Sequence, residues 1–174
     1  MRRLRYNVAT SLDGFIATPD GGYGWIVEDP TIDMVSLFSE FDTFVMGRGT
    51  YEVMQAQGDQ NPLKGHRVLV VSSTLKPEEH PDVEILGPDF VSRIASLKEE
   101  NGKDIWLFGG GKLFRTLIDN GVVDSLELAV MPVLIGSGIP VLPPGDHVRL
   151  TFQKVESYSS GIQILHYTPQ ARST

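Results

Sequence analysis

Three short stretches carry the residues with chemical use. Gly109-Gly110-Gly111-Lys112 follows the four apolar residues 105–108, and Leu113, Phe114, Leu117 and Ile118 then share one helical face. That order reads as a buried strand, a tight turn and a helix start. Glycines at such a turn let backbone N–H groups approach a phosphate, and the positive end of the helix faces the anion. The same pattern also describes a tight strand-to-helix turn that binds nothing, and the motif alone does not choose between them. Gly47-Arg48-Gly49-Thr50 follows the strand-like residues 42–46, and Ser72-Ser73 closes the strand-like residues 67–72. Arg48 offers a planar fork suited to a phosphate, or else a surface ion pair. Each stretch has a bland reading as a turn. Together they place backbone amides, hydroxyls, an arginine and a lysine at strand ends, where open α/β sheets gather their ligands.

Composition narrows the classes. A chain of 174 residues with 41% hydrophobic content suits a single domain, 1–174, with residues 169–174 as a flexible tail. The net charge of −7 gives no general basic surface for nucleic acid or membranes. Without cysteine there are no disulfides and no thiolate chemistry. His66, His80, His147 and His166 show no metal-ligand spacing, so no metal is expected. The start Met1-Arg-Arg-Leu4 lacks the apolar run of a signal peptide, and no segment has the apolar length of a membrane span. A cytoplasmic protein is expected.

The elements that must position these residues are legible in outline. Residues 4–10 form a strand candidate, 11–14 a turn and 15–17 a short apolar return. Residues 18–24 are rich in loop formers, with Trp25 either covering a ligand or anchoring the loop. Asp29-Pro30 resembles a helix start, and Ile32, Val35, Phe38 and Phe41 then make one stripe. A short helix around Tyr51 and Met54 and a polar loop over 55–65 come next. Further strands are predicted at 83–86 and 125–133, a helix at 89–100, and a hairpin of 148–158 with 162–168. The count is about eight strands and four helices in one α/β domain with a mixed sheet.

The ordered motifs resemble the dihydrofolate-reductase-like superfamily, and within it the riboflavin-biosynthesis reductase domain, the C-terminal part of the bifunctional deaminase-reductase. The residues that carry the resemblance are Ala9-Thr-Ser-Leu-Asp-Gly14 with Ile16-Ala17, Val45-Met-Gly-Arg-Gly-Thr-Tyr-Glu52 and Val70-Val-Ser-Ser73. Phe108-Gly-Gly-Gly-Lys-Leu-Phe114 and Pro132-Val-Leu-Ile-Gly-Ser-Gly138 complete it across nearly the whole chain. The resemblance implies a central, mostly parallel eight-stranded sheet flanked by about four helices, with a C-terminal antiparallel hairpin. It implies NADPH as hydride donor to a small heteroaromatic or imine-like substrate, pterin- or pyrimidine-related. The alternative is a non-catalytic nucleotide-binding or sensor protein that keeps the cleft.

By the same resemblance, the backbone at Ala9 and Ile16 holds the nicotinamide carboxamide. Gly47, Arg48 and Thr50 meet phosphates, and Arg48 with Ser72 or Ser73 lies near the adenosine 2′-phosphate. Phe108, Gly109, Gly110, Gly111, Lys112 and Leu113 line the pyrophosphate side. Relatives of this branch commonly pair, so a homodimer is expected, with residues 134–140 and the last hairpin as contacts.

Superfamily members that reduce pterins place an acid early in the first long helix. Here Asp33, beside inward-facing Ile32, is the first choice and Asp29 the second; a helix-start charge complementing the dipole is the other reading of Asp33. Asp13 is a catalytic candidate or, the preferred reading, a turn aspartate bonding its own backbone. The threonine that holds a pterin on the long strand is Ala129 here.

Overall fold

The structure is a computed structural model, and it describes residues 1–171. Eight strands make one sheet: β1 (Leu4–Ser11), β3 (Phe41–Gly47), β4 (Arg67–Val71), β5 (Glu84–Leu86), β6 (Asp104–Gly109), β7 (Ser125–Met131), β9 (Leu150–Ser157) and β10 (Gln163–Pro169). Their order is β5-β4-β3-β6-β1-β7-β10-β9. The first six run parallel, and β10 is antiparallel to both β7 and β9. Two further strands, β2 (Phe15–Ala17) and β8 (Ile139–Pro140), pair with each other outside this sheet.

Both faces of the parallel region are apolar, because each covers a core. In β6, Ile105 and Leu107 enter one cluster and Trp106 the other. In β3, Val45 enters the first, and Phe44 and Met46 the second. This is why these strands read as continuous apolar runs rather than alternating ones. The first cluster packs under α3 (Phe90–Leu97) and α4 (Gly111–Asp119), with Tyr6 stacked on Phe114 at 3.8 Å between ring centroids. The second packs under α1 (Met34–Ser39) and α2 (Arg48–Ala56), where Phe38 meets Trp106.

Several boundaries differ from the sequence expectation. No helix starts at Asp29-Pro30. Asp29 instead accepts bonds from the Thr31 amide and hydroxyl, which closes a local turn. The helix begins at Met34 with Asp33 outside it as the N-cap, its carboxylate accepting from Ser36 N at 2.9 Å. Phe41 does not continue the helical stripe. It opens β3, and the Arg5 guanidinium lies over its ring at 4.5 Å. The apolar return at 15–17 pairs with β8, not with β1. At the C-terminus, Pro169 closes β10 opposite Leu150, and Gln170 N bonds to Arg149 O. Residues 172–174 lie outside the described residues.

Candidate functional site

The parallel sheet opens between β1 and β6. These strands pair only at Leu4–Ile105, Arg5–Trp106 and Tyr6–Leu107. Beyond that, β1 continues against β7 as far as Ser11, while β6 stays with β3 up to Met46–Gly109. Backbone groups of β1 alternate between its two neighbours: Arg3 O accepts from Ile105 on the β6 side, and Leu4 O from Asp124 on the β7 side. Odd-numbered residues therefore face the opening. Asn7 O is taken by Trp106 Nε1 at 2.8 Å. The next pair of groups in that series belongs to Ala9, and β6 no longer runs alongside to receive them.

Two helices start at the rim of this opening. Gly47 and Gly110 are the N-caps of α2 and α4, and neither supplies a side-chain cap. The first-turn N–H groups of Arg48, Gly49 and Thr50, and of Gly111, Lys112 and Leu113, have no partner within their helices. Because β3 and β6 are adjacent, the two starts touch. A Cβ added at Gly109 would sit 3.1 Å from Thr50 Oγ1, and one at Gly110 would sit 3.7 Å from it and 3.9 Å from Ile16 Cδ1. Gly109 also has φ of +141°, a conformation that only glycine adopts readily. The structure thus brings Ile16, Thr50 and the glycines 109–111 together, with Ala9 across the gap. Gly111 is packed from the other side, where a Cβ would meet Pro140 O at 2.5 Å.

Arg48 is exposed and already engaged. Its Nε donates to Glu52 at 2.6 Å and its Nη1 to Thr74 Oγ1 at 2.8 Å. This ties the start of α2 to the turn after β4. Ser72 Oγ accepts the amides of Thr74 and Leu75, both at 3.1 Å, and Ser73 is exposed beside it. Thr74 was not singled out in the sequence; a serine followed two residues later by threonine after a buried strand was the available signal. Lys112 is exposed at the start of α4, whereas the Leu113 side chain is buried in the core. Leu113 therefore offers the site only its backbone. Phe108 is half-buried and packs against the cluster under α1 and α2.

The acids are placed differently from expectation. Asp33 is exposed at the α1 N-cap, so the buried carboxyl expected beside Ile32 is absent; the cap position holds it outside the helix. Asp29 is held down to about 2 by the nearby Ser160 hydroxyl and by hydrogen bonds from the Thr31 amide and hydroxyl, which favour the ionised form. Trp25 Nε1 donates to Gly22 O within its own loop. Asp13 does more than close its own turn, since it also accepts Gly136 N at 2.7 Å and Ile135 N at 3.2 Å.

Sequence reasoning missed a polar row beside Ala9. Asn7, Glu127 and His166 are paired across β1, β7 and β10, and Ala9, Ala129 and Ile164 form the next row on the same face. Glu127 is buried and accepts from Arg5 at 2.7 and 2.8 Å and from Asn7 at 3.0 Å. Burial opposes the Arg5 charge, but bonds and charges from Glu127 and Glu40 outweigh it and raise the Arg5 pKa. Glu156 gathers Lys154 at 2.5 Å, His166 Nε2 at 3.0 Å and Tyr158 OH at 3.2 Å. Scattered charges in edge strands look like a solvated face, and only the register reveals the row.

A cavity of about 580 Å³ lies elsewhere, lined by Met46, Tyr51, Met54, His66 and Asp82 among others, and contains none of the glycine turns. Among the described residues, no group of three His, Asp or Glu is placed to hold a metal, and no helix is long and apolar enough to cross a membrane.

Comparison with known proteins bears on this geometry. The family model described as the RibD C-terminal domain matches residues 2–164, which include every strand-end turn described above. The chain belongs to the RibD C-terminal domain family. Among its relatives is the uncharacterized protein YyaP of Bacillus subtilis, 28% identical over 95% of each chain. A solved Shewanella sp. PV-4 structure named for riboflavin biosynthesis superposes with a TM-score of 0.83 at 24% identity, covering 98% of this chain and 100% of that one. Dihydrofolate reductase from Enterococcus faecalis, solved with NADP(H), superposes with a TM-score of 0.67 at 18% identity over 97% of each chain. The RibD C-terminal family and the dihydrofolate reductase fold thus meet in one architecture.

Proposed function

We propose that this protein is an NADPH-dependent reductase that transfers a hydride to a small heteroaromatic or imine-like substrate, pterin- or pyrimidine-related. The observation that carries the reading is the opening between β1 and β6, with two helix starts lacking side-chain caps at its rim. A dinucleotide needs anion-binding N–H groups at one end and a hydrogen-bonding slot for a carboxamide at the other, and this opening offers both. The glycine rim fits as well, since side chains at 109 and 110 would fill the space between Thr50 and Ile16. Support comes from the Enterococcus faecalis enzyme, which holds NADP(H) on the same fold.

In this reading the cofactor supplies the hydride, and the protein binds, orients and excludes water. Ala9 and Ile16 hold the carboxamide through backbone groups. Gly47, Arg48 and Thr50 meet phosphate at the start of α2, and Gly110, Gly111, Lys112 and Leu113 do so at the start of α4. Arg48, Ser72 and Ser73 recognise the 2′-phosphate. The face bearing Ala9, Ala129 and Ile164, edged by Asn7 and His166, receives the substrate. Asp33 is the candidate proton donor; with its carboxylate exposed, water is the alternative source.

That exposure also favours a second reading, a nucleotide-binding protein without turnover. NADPH oxidation screened across pterins and pyrimidines decides between them. Binding with turnover of at least one substrate supports the reductase, whereas binding with none supports the second reading.

A further inference from the structure

Loop 134–143 lies between β2 and the start of α4, and residues 133–141 hold the 12–17 segment at a few contacts. Leu12 N donates to Val133 O, Val141 N donates to Gly14 O, and Phe15 and Ala17 pair with Pro140 and Ile139. A methyl on Gly138 would collide with the Ala17 carbonyl, so the loop backbone is pressed against β2. One side chain joins the two segments. The Asp13 carboxylate accepts Ser11 Oγ at 2.6 Å, Gly136 N at 2.7 Å and Ile135 N at 3.2 Å. Ser11 Oγ in turn accepts Phe15 N at 3.0 Å, the first amide of β2. Gly136 has φ of +77°, the turn that lets two successive amides converge on one carboxylate.

We infer that Asp13 is a positioning residue: it clasps the 135–136 turn to the 11–14 turn and thereby sets β2, with Ile16, at the mouth of the β1–β6 opening. Ile16 Cδ1 lies 3.9 Å from where a Cβ of Gly110 would stand, so displacement of β2 changes the width of the slot there. Hydrogen bonds from Ser11, Gly136 and Ile135 favour the ionised Asp13 carboxyl and hold it below its ordinary range, so the clasp stays charged into acid pH. The inference rests on the cofactor reading for its consequence but not for its geometry.

The test uses Asp13→Asn and, independently, Gly138→Ala, which disturbs the same junction without touching the charge. Two probes are titrated calorimetrically: NADPH, and adenosine 2′,5′-bisphosphate, which lacks the nicotinamide. Amide exchange is followed at Ile135 and Gly136. The expected result is faster exchange at both amides in Asp13→Asn. NADPH affinity should fall about tenfold in both variants, the scale of one charge-assisted hydrogen bond, with bisphosphate affinity unchanged. Unchanged exchange in Asp13→Asn overturns the clasp. Faster exchange with unaltered NADPH affinity, or an equal loss for both probes, overturns its positioning role. If wild-type protein binds neither probe, the cofactor reading itself fails and the positioning role with it, while the exchange data still decide the clasp.

Discussion

At the scale of residues, the proposed phosphate role of Arg48 requires its present ties to give way. Arg48 is held by Glu52 at 2.6 Å and Thr74 at 2.8 Å, both at exposed positions, so a phosphate competes with a solvent-screened ion pair. Arg48→Ala is expected to weaken NADPH binding by roughly 1.5–3 kcal/mol, the worth of a hydrogen bond to a charged group, and NADH binding much less. Glu52→Gln frees the guanidinium and should strengthen NADPH binding by roughly 0.2–0.5 kcal/mol, the usual worth of such a helical pair. Titration of both variants with both cofactors checks this; equal losses in Arg48→Ala remove it from the 2′-phosphate. The place of Arg48 at a strand end was legible, but its tie to Thr74 spans 26 residues and required the fold.

At the scale of elements, the strands were legible where both faces are buried. Residues 67–72 and 105–108 read correctly because continuous apolar runs of that length fit covered parallel strands. The start of α1 was misread because a second Asp, four residues before the true cap, also closes a local turn with the following residues. Phe41 happened to fall in helical phase with Phe38 although it belongs to β3. The site inherits this ambiguity. Asp33→Asn retains an effective cap and is expected to keep hydride transfer close to wild type if water supplies the proton. A loss of about 10²–10⁴-fold, the range of general acid catalysis, would assign the donor to Asp33. Asp29 contributes through its depressed pKa of about 2. Its stabilisation is complete above about pH 4, the unfolded carboxylate value, and is lost as pH falls toward 2. Asp29→Asn should therefore flatten the dependence of Tm on pH in that window; an unchanged slope would show that its bonds to Thr31 contribute nothing.

At the scale of the whole molecule, the order of strands was beyond the sequence. Nothing local says that β6 inserts between β3 and β1, yet this insertion creates the opening and aligns Ala9 with the glycine turns. The same holds for the row Asn7, Glu127 and His166, drawn from three strands far apart in the chain. The surface also leaves Phe152 56% and Leu134 69% exposed, and such residues are candidate contacts for a second copy. A homodimer at tens of micromolar, an order-of-magnitude choice from ordinary specific affinities, is expected in sedimentation. Phe152→Lys should shift it toward monomer, and a wild-type monomer would contradict pairing.

Fluorescence titration of wild-type protein with NADPH tests whether a phosphorylated nicotinamide dinucleotide occupies the β1–β6 opening. Saturable binding is expected, with a Kd on the order of 1 μM, about −8 kcal/mol, competed by adenosine 2′,5′-bisphosphate and at least about tenfold weaker for NADH. Absence of saturation up to about 1 mM NADPH, a binding free energy of only about −4 kcal/mol, would contradict it.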